Sequence, residues 1–274
     1  MKIPLAGVIG SPIAHSKSPT LHGHWLAENG IKGYYIPMDV SPDDLAAVLR
    51  SLPKAGFKGV NITLPHKEAA LAIADEASEA ASKIGAANTL SFREDGTIFA
   101  DNTDGYGFMA NLRAGAPNWD PRSGTAVILG AGGAARAVIF SLLDQGVPDI
   151  ILCNRTRSRA EELAAIFGDK IQVADWSDAN DYLSDAALLV NTTSLGMTSK
   201  PPLDIDLNDL GAGTVVTDLV YTPLETPLLA NARARGCDVV DGLGMLLYQG
   251  VPGFEAWFGT RPTVDENLRK AVEG

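Results

Sequence analysis

Cysteine is almost missing from this chain: 274 residues hold two, Cys153 and Cys237. Two so far apart build no disulfide framework, and Cys153 sits in an apolar strand pattern that asks only for a small packing side chain. Histidine is nearly as scarce, with four residues at no metal-ligand spacing, so no metal site is expected. His22 and His24, on a predicted helix, are expected to be surface or packing residues. No apolar run approaches the ~20 residues that cross a bilayer. Met1-Lys2-Ile3-Pro4-Leu5 passes directly into strand-like sequence without signal-peptide organisation, which sets the expectation of a reducing, cytoplasmic location. Basic residues are outnumbered 22 to 33 by acidic ones, a net charge of −11. That balance argues against nucleic acid and anionic membranes as partners. Internal repeats and low-complexity tracts are absent too.

What is present is a chain 46% hydrophobic, enough for a sizeable core in one large or two modest domains. Strand and helix signals alternate throughout, which predicts an α/β protein with mostly parallel sheets. Strands are predicted at Leu5 to Ile9, Tyr34 to Met38 and Gly59 to Thr63. A hairpin is predicted from Asn88 to Ala100 around Asp95-Gly96. Helices are predicted from Ser18-Pro19 to Asn29, from the cap Ser41-Pro42 to about Ala55, through the alanine-rich Lys67 to Lys83, and from Gly105 to Arg113. A second half starts at Thr125, with further strands near Ile150, Val173, Leu188 and Val216, and helix from Gly242 onward.

The sharpest motif is Val127-Ile128-Leu129-Gly130-Ala131-Gly132-Gly133-Ala134-Ala135. An apolar strand runs into glycines that open a helix, in the spacing G-x-G-x-x-A of a dinucleotide fingerprint. Gly130 allows the tight turn, Gly132 lets backbone approach a pyrophosphate, and Ala135 keeps helix and strand close. The helix N-terminus offers N–H groups and a positive dipole end to phosphate. The next strand, Asp149 to Cys153, ends in Asn154-Arg155-Thr156-Arg157-Ser158-Arg159. An acid there would hold a ribose 2′-OH; arginine matches a 2′-phosphate instead. Cations at a helix start oppose the dipole, so the cluster reads as binding phosphate, and NADP(H) is the expected cofactor.

Four stretches in the first half put polar residues just past strand ends: Gly10 to Pro19, Val60 to Lys67, Gly85 to Thr89 and Asp101 to Gly105. Together they supply hydroxyls, an amide, one lysine and one carboxylate, a set suited to a small, hydroxyl-rich anion. Each member also has an ordinary reading: Ser16 and Ser18 as helix caps, Lys67 as a solvated lysine, Asn88 and Asp104 as turn and cap residues. Ligands of open α/β sheets bind beyond the carboxyl ends of strands, so the cleft between two such domains is the expected site.

Several of these stretches, with others further on, resemble the shikimate dehydrogenase family over essentially the full chain. They are Ser16-Lys17-Ser18-Pro19, Asn61 to Lys67, Gly85 to Thr89, Asn102 to Gly105, Gly130 to Arg136, Asn154-Arg155-Thr156, Asn191 to Met197, Asp218 to Pro223 and Asp241 to Gln249. The resemblance implies a substrate and catalytic domain over 1–104, a Rossmann-type, doubly wound NADP-binding domain over 105–241, and C-terminal helices over 242–274 packing back on the substrate domain. It implies NADPH-dependent reduction of 3-dehydroshikimate to shikimate, on the route to aromatic amino acids. Lys67 and Asp104 would then be the catalytic pair. Ser16 and Ser18 would hold the substrate carboxylate, with Tyr221 nearby, and Thr63, Asn88 and Gln249 the ring hydroxyls. The cofactor would meet Gly130, Ala131, Gly132, Gly133, Ala134, Asn154, Arg155, Thr156, Arg159, Leu219, Gly242 and Met245. Relatives often carry Phe where this chain has His66. A monomer or homodimer acting on a small molecule is implied. Two alternatives stay open: a quinate/shikimate dehydrogenase of broader choice, and a non-catalytic NADP(H)-sensing module.

Overall fold

The computed structural model describes residues 3–273. The chain divides into two compact units, one formed by residues up to Thr103 together with those from Leu247, the other by Asp104–Leu246.

The first unit is built on β1 (Leu5–Gly10), α1 (Ser18–Glu28), β2 (Tyr34–Asp39), α2 (Leu45–Ser51), β3 (Phe57–Ile62), α3 (Lys67–Ile73), β4 (Glu76–Ala77), α4 (Glu79–Ile84), β5 (Thr89–Phe92) and β6 (Ile98–Asp101). Its sheet runs β2-β1-β3-β5-β6-β4, parallel from β2 to β3 and antiparallel through the β5–β6 hairpin. Period-two alternation sorts the strand residues. Ile9, Val60, Ile62, Leu90 and Phe92 join Leu45, Leu49 and Leu52 in one apolar core. Ala6, Tyr35, Gly59 and Asn61 stand in matching register on the other face.

Two helix predictions need correction. Pro42 does not open a helix: the Ser41 hydroxyl oxygen accepts the N–H of Asp44 across a turn, and α2 starts only at Leu45. It ends at Ser51 and tightens into a 3-10 turn, Leu52–Ala55, around Pro53, which has no N–H for a helical bond. The alanine-rich stretch is not one helix either. Asp75 pairs with Ile98, its N–H on the Ile98 carbonyl (2.9 Å) and its carboxylate on the Ile98 N–H (2.8 Å). The chain is thereby drawn onto β6, and Ser78 caps a new helix through the N–H of Ala81. Tertiary pairing outweighs helix propensity here.

The second unit contains α5 (Asp104–Gly115), β7 (Thr125–Leu129), α6 (Gly133–Asp144), β8 (Ile150–Cys153), α7 (Arg157–Phe167), β9 (Ile171–Ala174), β10 (Ala186–Asn191), β11 (Val215–Asp218), α8 (Pro227–Ala234) and β12 (Asp238–Val240). All five strand pairs are parallel, in the order β12-β11-β10-β7-β8-β9. This is the doubly wound dinucleotide order, whose switch point lies between β7 and β10. Both faces are covered, as a parallel sheet requires. The three-residue β12 carries too short a pattern to read from sequence.

The last elements are α9 (Leu243–Phe258) and α10 (Glu266–Glu273). From Leu247 on, α9 belongs to the first unit. There Trp257 passes over Gly59 and donates its Nε1–H to the Leu90 carbonyl at 3.2 Å. His22, Trp25, Tyr35, Phe254 and Trp257 pack as one ring cluster.

Candidate active site

In the first unit the polar residues gather at the ends of β1 and β3 and the start of β5. The Thr63 N–H donates to the Ile9 carbonyl and that of Ile62 to the Asn88 carbonyl. Lys67 is the first residue of α3, and its carbonyl accepts the N–H of Ala87, so helix and hairpin start are tied together. His66, immediately before it, is buried and places Nε2 2.8 Å from the Val40 carbonyl. A carbonyl only accepts, so Nε2 carries the proton in this contact. Ser16 and Ser18 flank the start of α1. Neither is its N-cap: that position is Lys17, whose ammonium reaches the carbonyls of Val272 and Glu273 in α10. The Ser16 oxygen accepts the Ser18 N–H at 3.3 Å.

Asn88 is no surface turn residue. It is 2% exposed, and its Oδ1 accepts from the Thr103 N–H (2.8 Å) and lies within hydrogen-bond distance of the Thr103 (3.1 Å) and Thr89 (3.0 Å) hydroxyl oxygens. Its Nδ2 donates to Gln249 Oε1 at 3.2 Å, and the Thr103 hydroxyl donates to the Gln249 carbonyl at 2.8 Å. Residues 161 positions apart in sequence thus share one polar cluster. Asp104 follows Thr103 directly and begins α5 in the second unit.

Behind Asn88 lies a set of residues with no role in the sequence reading. The Tyr35 phenol donates to Asn61 Oδ1 at 2.7 Å, and Asn61 Nδ2 donates to Thr89 Oγ1 at 3.1 Å and the Asn88 carbonyl at 3.2 Å. Burial pushes the Tyr35 phenol well above its ordinary range, the Ser18 hydroxyl opposing in part. His22 stacks on the Tyr35 ring at 3.9 Å, with both ring nitrogens buried and without hydrogen-bond partners. Desolvation lowers its pKa to about 3. The neighbouring Asn61 side chain opposes this in part. The available signal was a polar Asn61 inside an apolar strand.

In the second unit the glycine turn follows β7. Gly130 has φ +106°, and a Cβ there would lie 2.7 Å from Thr192 Oγ1, so only glycine fits. Beyond Gly132 and Gly133 a Cβ would meet nothing within 4 Å: the start of α6 faces open space, with no acid in its first turn. Asn154, half-buried at the end of β8, accepts the Ala131 N–H on Oδ1 (3.1 Å) and donates Nδ2 to the Thr156 carbonyl (2.7 Å). Arg155 and Arg159 are exposed. Arg157 is instead engaged by Glu161 and Asp175, which offsets its position at a helix start. Open backbone, no carboxylate at the strand end and exposed guanidinium groups fit a dinucleotide carrying an extra phosphate.

The far side of this turn is braced by a buried network. Asp218, 1% exposed at the end of β11, accepts from Asn191 Nδ2 (2.9 Å), the Val220 N–H (3.0 Å) and the Thr226 hydroxyl (2.7 Å). Desolvation raises its pKa, and these three donors counter it. The network sets the course of the chain after β10 and β11, where Leu219 and Tyr221 are half-buried. Gly242 abuts Leu219 so closely that a Cβ would sit 2.3 Å from its carbonyl oxygen, and Met245 packs against the core beneath. Among the described residues, no cluster of three or more His, Cys, Asp or Glu could hold a metal, and no helix is long and apolar enough to cross a membrane.

A doubly wound sheet with a phosphate-ready glycine turn, and a further α/β unit carrying lysine, amides and hydroxyls, define a two-domain dinucleotide-dependent oxidoreductase. Three family models match in order: the shikimate dehydrogenase substrate binding domain over residues 8–90, shikimate / quinate 5-dehydrogenase over 117–198, and the shikimate 5'-dehydrogenase C-terminal domain over 242–272. The chain belongs to the shikimate dehydrogenase family. It is 62% identical to shikimate dehydrogenase (NADP(+)) of Roseobacter denitrificans, covering 100% of this chain and 99% of that one. Identity with the Paracoccus denitrificans enzyme of that name is 61%, over 98% and 95%. Among solved structures, shikimate 5-dehydrogenase of Thermus thermophilus in complex with NADP(H) and shikimate is 38% identical with a TM-score of 0.86, covering 99% of both chains. Quinate dehydrogenase of Corynebacterium glutamicum in complex with NAD is 33% identical with a TM-score of 0.91, again over 99% of both.

Proposed function

We propose that the chain catalyses the reversible, NADPH-dependent reduction of 3-dehydroshikimate to shikimate. The observation that carries this is the end-to-end match, at 62% identity, with a relative of that name. Cofactor choice is supported by Asn154-Arg155-Thr156, where an NAD-type acid is missing. The unit up to Thr103, with the returning helix residues from Leu247, serves as the substrate domain, and Asp104–Leu246 as the NADP-binding domain. The enzyme is cytoplasmic, a monomer or homodimer, and serves aromatic amino-acid biosynthesis.

Ketone reduction needs a hydride on carbon and a proton on oxygen. NADPH, when bound, supplies the hydride. Gly130, Ala131, Gly132, Gly133 and Ala134 hold its pyrophosphate, Asn154, Arg155, Thr156 and Arg159 its 2′-phosphate end, and Leu219, Gly242 and Met245 its nicotinamide end. Lys67 donates the proton to the ketone oxygen as general acid, and its neutral amine takes it back in the oxidative direction. Asp104 orients Lys67 and the neighbouring substrate hydroxyl. Ser16 and Ser18 hold the carboxylate, with Tyr221 beside them; Thr63, Asn88 and Gln249 hold the hydroxyls.

The test is NADPH-band absorbance of the purified protein, crossing shikimate and quinate with NADP+ and NAD+. Fast turnover with shikimate and NADP+ alone is expected. Comparable turnover with quinate or NAD+ would replace this reading with a broader quinate/shikimate dehydrogenase, and none at all would leave a nucleotide-sensing module.

A further inference from the structure

We propose that Asn111, which touches neither substrate nor cofactor in the reading above, is a positioning residue that fixes the turn over residues 241–244 as the platform for the nicotinamide end of NADP(H). The inference rests on that reading in one respect, that Gly242 and Met245 meet this end of the cofactor.

Asn111 lies within α5, where asparagine is disfavoured because its side chain competes for backbone groups. It is 7% exposed, beside Phe108 and Leu112, which pack into the apolar core of this unit. A buried amide is costly unless it is bonded, so the partner explains the residue. Its Nδ2 donates to the Asp241 carbonyl at 2.6 Å, 130 positions along the chain. Asp241 in turn accepts the Leu243 N–H on Oδ1 at 3.0 Å, which closes the turn onto the start of α9. The Asn111 amide therefore holds the turn at the residue from which α9 departs.

Close packing holds the same turn on two sides. A Cβ on Gly244 would lie 1.8 Å from Asn111 Oδ1, and one on Gly242 2.3 Å from the Leu219 carbonyl oxygen. Glycine at both positions lets the turn sit against α5 and the end of β11 at once. Asp104 opens α5 seven positions before Asn111, a spacing that returns to the same helix face about 10 Å along the axis. One helix thus carries both the carboxylate of the catalytic pair and the clamp of the nicotinamide platform. Without the amide the turn is free to shift under the nicotinamide. The glycine turn after β7 keeps its own support from Asn154, so the adenosine end of the cofactor does not feel the loss.

Asn111→Leu keeps the size and removes the donor. Binding of NADP+ and of 2′,5′-ADP, its phosphate-bearing adenosine half, is measured by calorimetry, and kcat and the shikimate KM by NADPH absorbance. Asn111→Leu is expected to raise the NADP+ Kd about fivefold, the worth of one net hydrogen bond, and to lower kcat because the hydride donor is less well aligned. The 2′,5′-ADP Kd and the shikimate KM stay within about twofold, as for independent sites. Gly244→Ala, whose methyl displaces the Asn111 amide, raises the NADP+ Kd likewise, and the double variant with Asn111→Ala is no worse than Asn111→Ala alone. An unchanged NADP+ Kd in Asn111→Leu overturns the proposal. So does equal weakening of NADP+ and 2′,5′-ADP, or losses from Gly244→Ala and Asn111→Ala that multiply in the double variant. A wild-type protein that neither binds NADP+ nor oxidises shikimate overturns the underlying reading instead, and the inference with it.

Discussion

The side-chain oxygen of Asn154 accepts the backbone N–H of Ala131 at 3.1 Å, tying the end of β8 to the glycine turn after β7. The same amide donates to the Thr156 carbonyl, so one residue shapes both the pyrophosphate turn and the start of the arginine segment. Asn154→Ala is expected to raise the KM for NADP+ about five- to tenfold, near one to two net hydrogen bonds. Steady-state kinetics that show the shikimate KM rising as well would assign Asn154 a general structural role.

Arg155 is exposed beyond that strand, and its value as a binding group depends on a charge-assisted contact. Such a contact is worth roughly 1.5–3 kcal/mol. Arg155→Ser should therefore lower kcat/KM with NADP+ by about ten- to a hundredfold and leave NAD+ little changed. Equal losses with both cofactors would mean that the guanidinium does not read the 2′-phosphate.

Lys67 stands at the start of α3, its carbonyl anchored by the N–H of Ala87. As general acid it contributes about 10²–10⁴ in rate. Lys67→Ala should lose that factor in kcat with the shikimate KM changed far less. An unchanged kcat would remove Lys67 from the chemistry.

His22 is neutral in the folded protein, its pKa lowered to about 3 by burial against Tyr35. An unfolded histidine titrates near 6.5. Below that pH the unfolded chain binds the proton and the folded one does not, so stability falls as pH drops from about 6.5 toward 3 by up to about 1.4 kcal/mol per unit. Above 6.5 the dependence from His22 vanishes. His22→Phe, which keeps the stack, should flatten this part of the curve in urea unfolding at pH 7.5 and 5. Identical slopes for the two proteins would rule out His22 as the source.

Much of this was legible in the chain itself. Local pattern determined the alternation of strands and helices, the β5–β6 hairpin, the glycine turn after β7 and the basic segment after β8, because each is written in neighbouring residues. The nature of the Asn154-Arg155-Thr156 end, an amide and a cation where an acid would favour NAD, is a matter of residue identity alone. Only tertiary structure decided the break at Asp75, where pairing with Ile98 overrides an alanine-rich helix. It decided the short β12, and that Ser16 precedes and Ser18 opens α1 with neither as its cap. Above all it decided the polarity of Asn88. Tyr35, Asn61, Thr89, Thr103 and Gln249 come from β2, β3, β5, the end of β6 and α9, and a hydrogen bond's direction depends on which partners a fold brings within about 3 Å. Sequence spacing holds no record of such distances, so a residue's type was readable where its orientation was not.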